Sequence, residues 1–128
     1  MRKKTIFAFL IFFVLACHLC YATDGNTLLD SCTAAIQKMD GKNNVSGVRV
    51  GYCYGYVQGL MDMNTLYKDS GLSPLFCVPQ TISNGDGARI IFKYLQSHTE
   101  RLDEYAGVLA ADAYMEAFPC SDLKISLR

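Results

Sequence analysis

Past residue 22 the chain is dominated by apolar positions recurring at helical spacing. Leu28, Cys32, Ala35 and Met39, with Leu29 and Ile36 beside them, predict a helix over Thr27 to Met39 that buries one stripe, capped by Asn26 or Thr27. Asp40 to Asn44 is rich in turn formers and ends it, with Gly41 as a left-handed stop. A second helix starts at Ser46 and ends near Ser70 and Gly71. Residues 71 to 83 lose the helical period, contain Pro74 and Pro79, and read as an ordered loop pinned through Cys77. Ala88, Ile91 and Leu95, flanked by Ile90 and Tyr94, predict a third helix from Asn84 to Ser97, with Gly85 and Gly87 weakening its first turn. Ser97 to Glu100 resembles a capping box for a fourth helix, about Glu100 to Phe118, carrying Leu102, Ala106, Leu109, Ala113 and Ala117 on one face and stopped by Pro119. Glu100, Asp103 and Glu104 fall at its positive end. The expected fold is all-α, a small antiparallel bundle of about four helices.

The second helix departs from this pattern. Gly47, Gly51, Gly55 and Gly59 recur every fourth residue along one slowly drifting stripe. Each interior glycine costs a helix about 1 kcal/mol relative to alanine, so the bare face must serve close approach of another backbone. Cys53 points away from that stripe. Asp62 lies on it and there needs a partner such as a helix N-terminus, an arginine or a second protein. An internal partner is preferred. Tyr52, Tyr54, Tyr56 and Tyr67 read as rings buried at a helix seam with wet hydroxyls.

Composition adds an address. Of 128 residues, the first 22 read as a secretory signal: Arg2, Lys3 and Lys4, an apolar run from Ile6 to Leu19, and a small-residue site ending at Ala22. The remainder, 23–128, is expected to form one domain. A membrane anchor is the less favoured reading of the same run. Val14-Leu15-Ala16-Cys17 also resembles a bacterial lipobox, so outer-membrane lipidation at Cys17 is a minor alternative. Cleavage removes three of the twelve basic residues and none of the twelve acids, a net charge near −3, which argues against a nucleic-acid partner.

Cys32, Cys53, Cys77 and Cys120 remain, an even count that in a small exported domain reads as two disulfides with three possible connectivities. Cys32 and Cys53 are symmetric about the turn at Lys42 and Asn43, and Cys77 and Cys120 about His98 and Thr99. Antiparallel helix pairs therefore favour these two bridges, with crossed pairing left open. His98 is the one histidine beyond the leader, and a cysteine–histidine nucleophile would strand a thiol. The cysteine gaps are too wide for the close pairs of structural zinc sites. No acid pair stands out for general acid–base work. Neither an enzyme nor a cofactor is expected.

Four stretches together resemble the Rap/Tai family of type VI secretion immunity proteins: Leu28-Leu29-x2-Cys32; Cys53-Tyr54-Gly55-Tyr56-Val57-x-Gly59-x2-Asp62; Phe76-Cys77-Val78-Pro79; and Tyr94-Leu95-x2-His98 leading to Ala117-Phe118-Pro119-Cys120. Thr99 stands where members often have proline, and Gly47 and Gly51 exceed what the motif requires. The resemblance implies a helical, disulfide-bonded, often dimeric periplasmic protein that neutralises a peptidoglycan amidase effector by occluding its active-site groove with a loop. Two protrusions are candidates: Lys68 to Leu75, with Lys68, Asp69, Ser70 and Leu72, and the turn from Ser97 to Arg101, with His98 and Glu100. The first is preferred, because Cys77 pins it and Leu72 is apolar among polar neighbours. A periplasmic chaperone or stress-protective binding protein without an effector is the alternative. For the glycine stripe, the expected neighbour is the fourth helix at its small residues Ala106, Ala110 and Ala113, ahead of the same stripe on a second subunit.

Overall fold

The computed structural model describes residues 23–79 and 82–120. The signal segment, the lipobox cysteine and the tail from Ser121 lie outside the described residues. Among the described residues the chain folds as α1 (Gly25–Met39), α2 (Gly47–Asp69), α3 (Asn84–Ser97), a 3-10 turn (Thr99–Arg101) and α4 (Ala106–Ala117), with no named strand. Helix α1 lies against both α2 and α3, and α4 closes the bundle chiefly on α3.

Helices α1 and α3 follow the hydrophobic pattern closely. Leu28, Cys32 and Ala35 of α1 are fully buried, as are Ala88, Ile91 and Leu95 of α3. Gly41 adopts the left-handed φ of 86° at the α1 stop. Asp24 caps α1 rather than Asn26 or Thr27, accepting a hydrogen bond from the Thr27 N–H at 2.9 Å. A full capping box opens α3: Ser83 Oγ accepts from the Asp86 N–H, and Asp86 accepts from the Ser83 N–H. Gly87, beyond weakening a first turn, is a close-approach position, since a Cβ there would collide with Tyr114 Oη and Val57.

Both favoured disulfides are present. Cys32–Cys53 ties α1 to α2 across 21 residues, and Cys77–Cys120 ties the loop before α3 to the end of α4 across 43. Cys32 and Cys53 are completely buried.

The fourth helix is shorter than its pattern. Residues 102–105 leave the helix to pair with the chain entering α1. The Ala106 N–H donates to Thr23 O at 2.8 Å, Gly25 to Glu104 O at 3.0 Å, and Asn26 to Leu102 O at 3.1 Å, around an antiparallel bridge between Asp24 and Tyr105. These long-range bonds satisfy backbone groups that a continuous helix would have paired locally. The capping box at Ser97 does not form. Ser97 Oγ instead bonds back to the carbonyls of Lys93 and Tyr94, at 3.1 and 2.9 Å, within α3. Of the expected α4 face, Ala106, Leu109 and Ala113 are buried, Tyr114 joins them, and Ala117 is exposed.

Candidate functional site

The loop after α2 is rigid by construction. It turns at Gly71, whose φ is 76°, and ends on Phe76, a ring with no exposed surface that tilts against Tyr114 at 5.0 Å. Asn64, on the last turns of α2, clamps it. The Asn64 Oδ1 accepts from the N–H groups of Leu75 (2.8 Å) and Phe76 (3.3 Å), and its Nδ2 donates to Phe76 O at 2.9 Å. One residue further, the Cys77 N–H donates to Phe118 O at 2.9 Å, and the Cys77–Cys120 disulfide fixes the same point. Between these anchors Leu72 and Leu75 are exposed at 57% and 41%, with Lys68, Asp69 and Ser70 exposed beside them. The segment thus presents apolar side chains on a backbone whose ordering cost has been met within the fold. A cleft of about 330 Å³ bordered by Lys68, Pro74 and Pro79 runs alongside.

The Ser97 to Arg101 turn is built differently. The His98 ring stacks on Tyr94 with centroids 4.0 Å apart, and its Nδ1 lies 2.9 Å from Tyr94 O. Arg101 is the hub: Nε and Nη2 donate to the two carboxylate oxygens of Glu104 at 2.8 and 2.7 Å, Nη2 also to Asp112 at 2.9 Å, and Nη1 to Tyr94 Oη at 2.5 Å. Glu104 and Asp112 raise the Arg101 pKa further above its already basic value. Arg101 is spent on bracing α3 against α4 and His98 on the end of α3, which leaves Ser97, Thr99 and Glu100 as the exposed residues of this turn. Of the two protrusions, the first offers a free apolar surface.

The glycine stripe does not meet α4. A Cβ built at Gly47, Gly51, Gly55 or Gly59 finds nothing within 4 Å, and Ala106, Ala110 and Ala113 are buried elsewhere in the core. The reason is rotational: the Cys32–Cys53 bridge and buried Val57 turn the opposite side of α2 inward. Gly51, Gly55 and Gly59 instead floor an open apolar groove of about 540 Å³ walled by Tyr52, Tyr56, Leu60, Met63 and Gly107. Asp62 has a local partner and no arginine or helix end: it accepts from Gln58 Nε2 at 2.8 Å and is exposed. Tyr52 donates to Thr23 Oγ1 at 2.5 Å.

Asn64 and Arg101 are the residues that sequence reasoning missed. An asparagine on a helix and an arginine in a polar turn each look solvated, and their partners become adjacent only when the loop and α4 fold back. Among the described residues no group of three or more histidine, cysteine or acidic side chains is placed to hold a metal ion, and all four cysteines are bonded.

Three carboxylates sit below their ordinary range: Asp24 through the Thr27 N–H, Asp86 through the Ser83 hydroxyl, and Glu104 through Arg101. Each binds fewer protons folded than unfolded. Their stabilisation is therefore present above the ordinary values, 3.8 for aspartate and 4.5 for glutamate, and is lost as pH falls through the lower folded values. The thermal midpoint followed by circular dichroism is expected to hold from neutrality down to about pH 5 and to fall below about pH 4. A flat midpoint down to pH 2 would contradict this.

No curated protein and no solved structure matches the chain. Residues 24–120 match a family described as Rap1a immunity proteins, a span that takes in both disulfides, the clamped loop and the open groove. The chain therefore belongs to the Rap1a immunity protein family.

Proposed function

We propose that this protein is exported to the periplasm through a cleaved signal at residues 1–22, forms a homodimer there, and neutralises a type VI secretion peptidoglycan amidase by placing the loop from Lys68 to Leu75 over its active site. The observation that carries this reading is the loop itself, with Leu72 and Leu75 exposed between the Asn64 clamp and the Phe76 anchor. A rigid apolar protrusion suits an enzyme groove, because little side-chain and backbone entropy is lost on docking. Membership of an immunity family supports a cognate effector as partner. Two disulfides favour an oxidising compartment such as the periplasm. Such an inhibitor acts by occlusion and needs no catalysis of its own.

The test is affinity capture of the protein from cells expressing candidate type VI amidases, followed by peptidoglycan hydrolysis assays with the captured enzyme. A tight complex that blocks hydrolysis is expected, and Leu72→Glu should weaken it by at least about tenfold, since a charge in a desolvated contact centre remains unpaired. Undiminished inhibition by Leu72→Glu would remove this loop as the occluding element.

The open apolar groove along α2 favours a second reading, a periplasmic chaperone. That reading requires prevention of client aggregation in acid, below the ordinary carboxylate range, where stabilisation by the lowered carboxylates weakens. Absence of such activity eliminates it.

A further inference from the structure

We propose that the Cys77–Cys120 disulfide is a reducible latch on the loop from Lys68 to Leu75: a dithiol opens it while Cys32–Cys53 stays closed, and the opened protein holds the loop more loosely and inhibits less. The proposal rests on the reading of that loop as the inhibitory element and adds the chemistry that switches it.

The first argument is access. Thiol–disulfide exchange begins with a thiolate attacking one sulfur of the bond, so a bond sealed inside the core reacts only when the fold opens. Cys32 and Cys53 have no exposed surface. Cys77 is exposed and Cys120 half-buried. Cys77 also borders the cleft of about 330 Å³ beside the loop, where Lys68 is the one charged lining residue among those described. The cleft gives a small dithiol a route to the bond, and an ammonium group at its edge favours the approach of a thiolate.

The second argument is what the bond holds. It joins the downstream end of the loop to the residues that follow α4, 43 positions away in the chain. Apart from the bond, Cys77 is tied to that segment by one backbone hydrogen bond, its N–H donating to Phe118 O at 2.9 Å. The other supports of the loop, the Asn64 clamp and the buried Phe76, involve neither sulfur. Opening the bond therefore relaxes one end of the loop and leaves the helical core and its first disulfide in place. An inhibitor that must order its loop on docking binds more weakly than one whose loop is already ordered.

The exchange itself is balanced by the dithiol. One of its thiolates attacks Cys77 Sγ, forming a mixed disulfide and expelling Cys120 as the thiolate. Its second sulfur then closes on the first and releases Cys77. The dithiol gives up two electrons and two protons and becomes a disulfide, while Cys77 and Cys120 become thiols. In a reducing compartment the latch stays open, and it closes after export to an oxidising one, so the inhibitory form matures on the side of the membrane where the proposed target acts.

The test starts from the oxidised protein, titrated with dithiothreitol at neutral pH, capped with iodoacetamide and mapped by peptide mass. Cys77 and Cys120 are expected to be alkylated together at dithiothreitol concentrations at least about tenfold below those that open Cys32–Cys53, with the helical circular dichroism unchanged. In the capped protein, freed of reductant, limited proteolysis within Lys68 to Leu75 should accelerate at least about fivefold, and inhibition of a captured amidase should weaken by a similar factor. Cys77→Ser with Cys120→Ser should show the faster cleavage without any dithiol and lose its response to one. Alkylation of all four cysteines in one step, or of Cys32 and Cys53 first, overturns the proposal. So does selective opening that leaves cleavage or inhibition unchanged. An oxidised protein that inhibits no amidase overturns the function proposed above, and the alkylation order and the cleavage rate then decide the latch alone.

Discussion

Phe76→Ala is expected to lower the free energy of unfolding by about 3–5 kcal/mol, read as a fall in the urea midpoint at unchanged slope. The ring has no exposed surface and packs against Tyr114 of α4, beside the Asn64 clamp of α2. Truncation there loses the transfer energy of the ring and leaves a cavity that two disulfide-fixed elements cannot readily close. The same residue bonds Asn64 through both backbone groups, so its anchor and the clamp reinforce each other. A second consequence follows for function. With the anchor gone, proteolysis should begin in the Lys68 to Leu75 segment, and the proposed inhibition of an amidase should weaken more than global stability accounts for at temperatures where the core is still folded. A variant that loses only a few tenths of a kcal/mol would show that the loop, and not the core, sets Phe76's position.

Opening the disulfides is the other large effect. In the chain-entropy picture, bridges closing 21 and 43 residues stabilise by about 3 and 4 kcal/mol respectively, the longer loop by more. The paired substitutions Cys32→Ala with Cys53→Ala and Cys77→Ala with Cys120→Ala separate them. Loss of the first also empties a fully buried site between α1 and α2, so its measured cost should equal or exceed that of the second despite the shorter loop. Loss of the second should instead free the loop end at Cys77, which is exposed and otherwise tied by one backbone hydrogen bond to Phe118. Chemical denaturation of each pair variant, with the wild type reduced and oxidised as reference, measures the costs directly. Equal and small losses would mean that the helix packing alone holds the bundle.

These two effects converge on a common design. Rigidity is concentrated at the loop after α2, where a buried ring, a side-chain amide and a disulfide act within fourteen residues of one another, Asn64 to Cys77. The exposed leucines lie between those supports. The opposite outcome holds at the Ser97 to Arg101 turn, where the same polar richness that marks a surface protrusion is consumed by the Arg101 hub.

Local periodicity determined most of what the chain does by itself. The apolar spacing of α1 and α3, the start and stop signals of α2 and the symmetry of four cysteines about two turns sufficed for these helices, their antiparallel order and the disulfide pairing, because helix period and hairpin symmetry are properties of neighbouring residues. The tertiary structure decided where each face points. Residues 102–105 leave their helical pattern because the Thr23 to Asn26 backbone, some 80 residues away in the chain, bonds to them. Asn64 becomes a clamp only when Phe76 folds under it. The glycine stripe was legible as a bare helix face from its fourfold spacing, but not its direction. That depended on the Cys32–Cys53 bridge and Val57 turning the other side of α2 into the core, which leaves the glycines facing outward and the groove open.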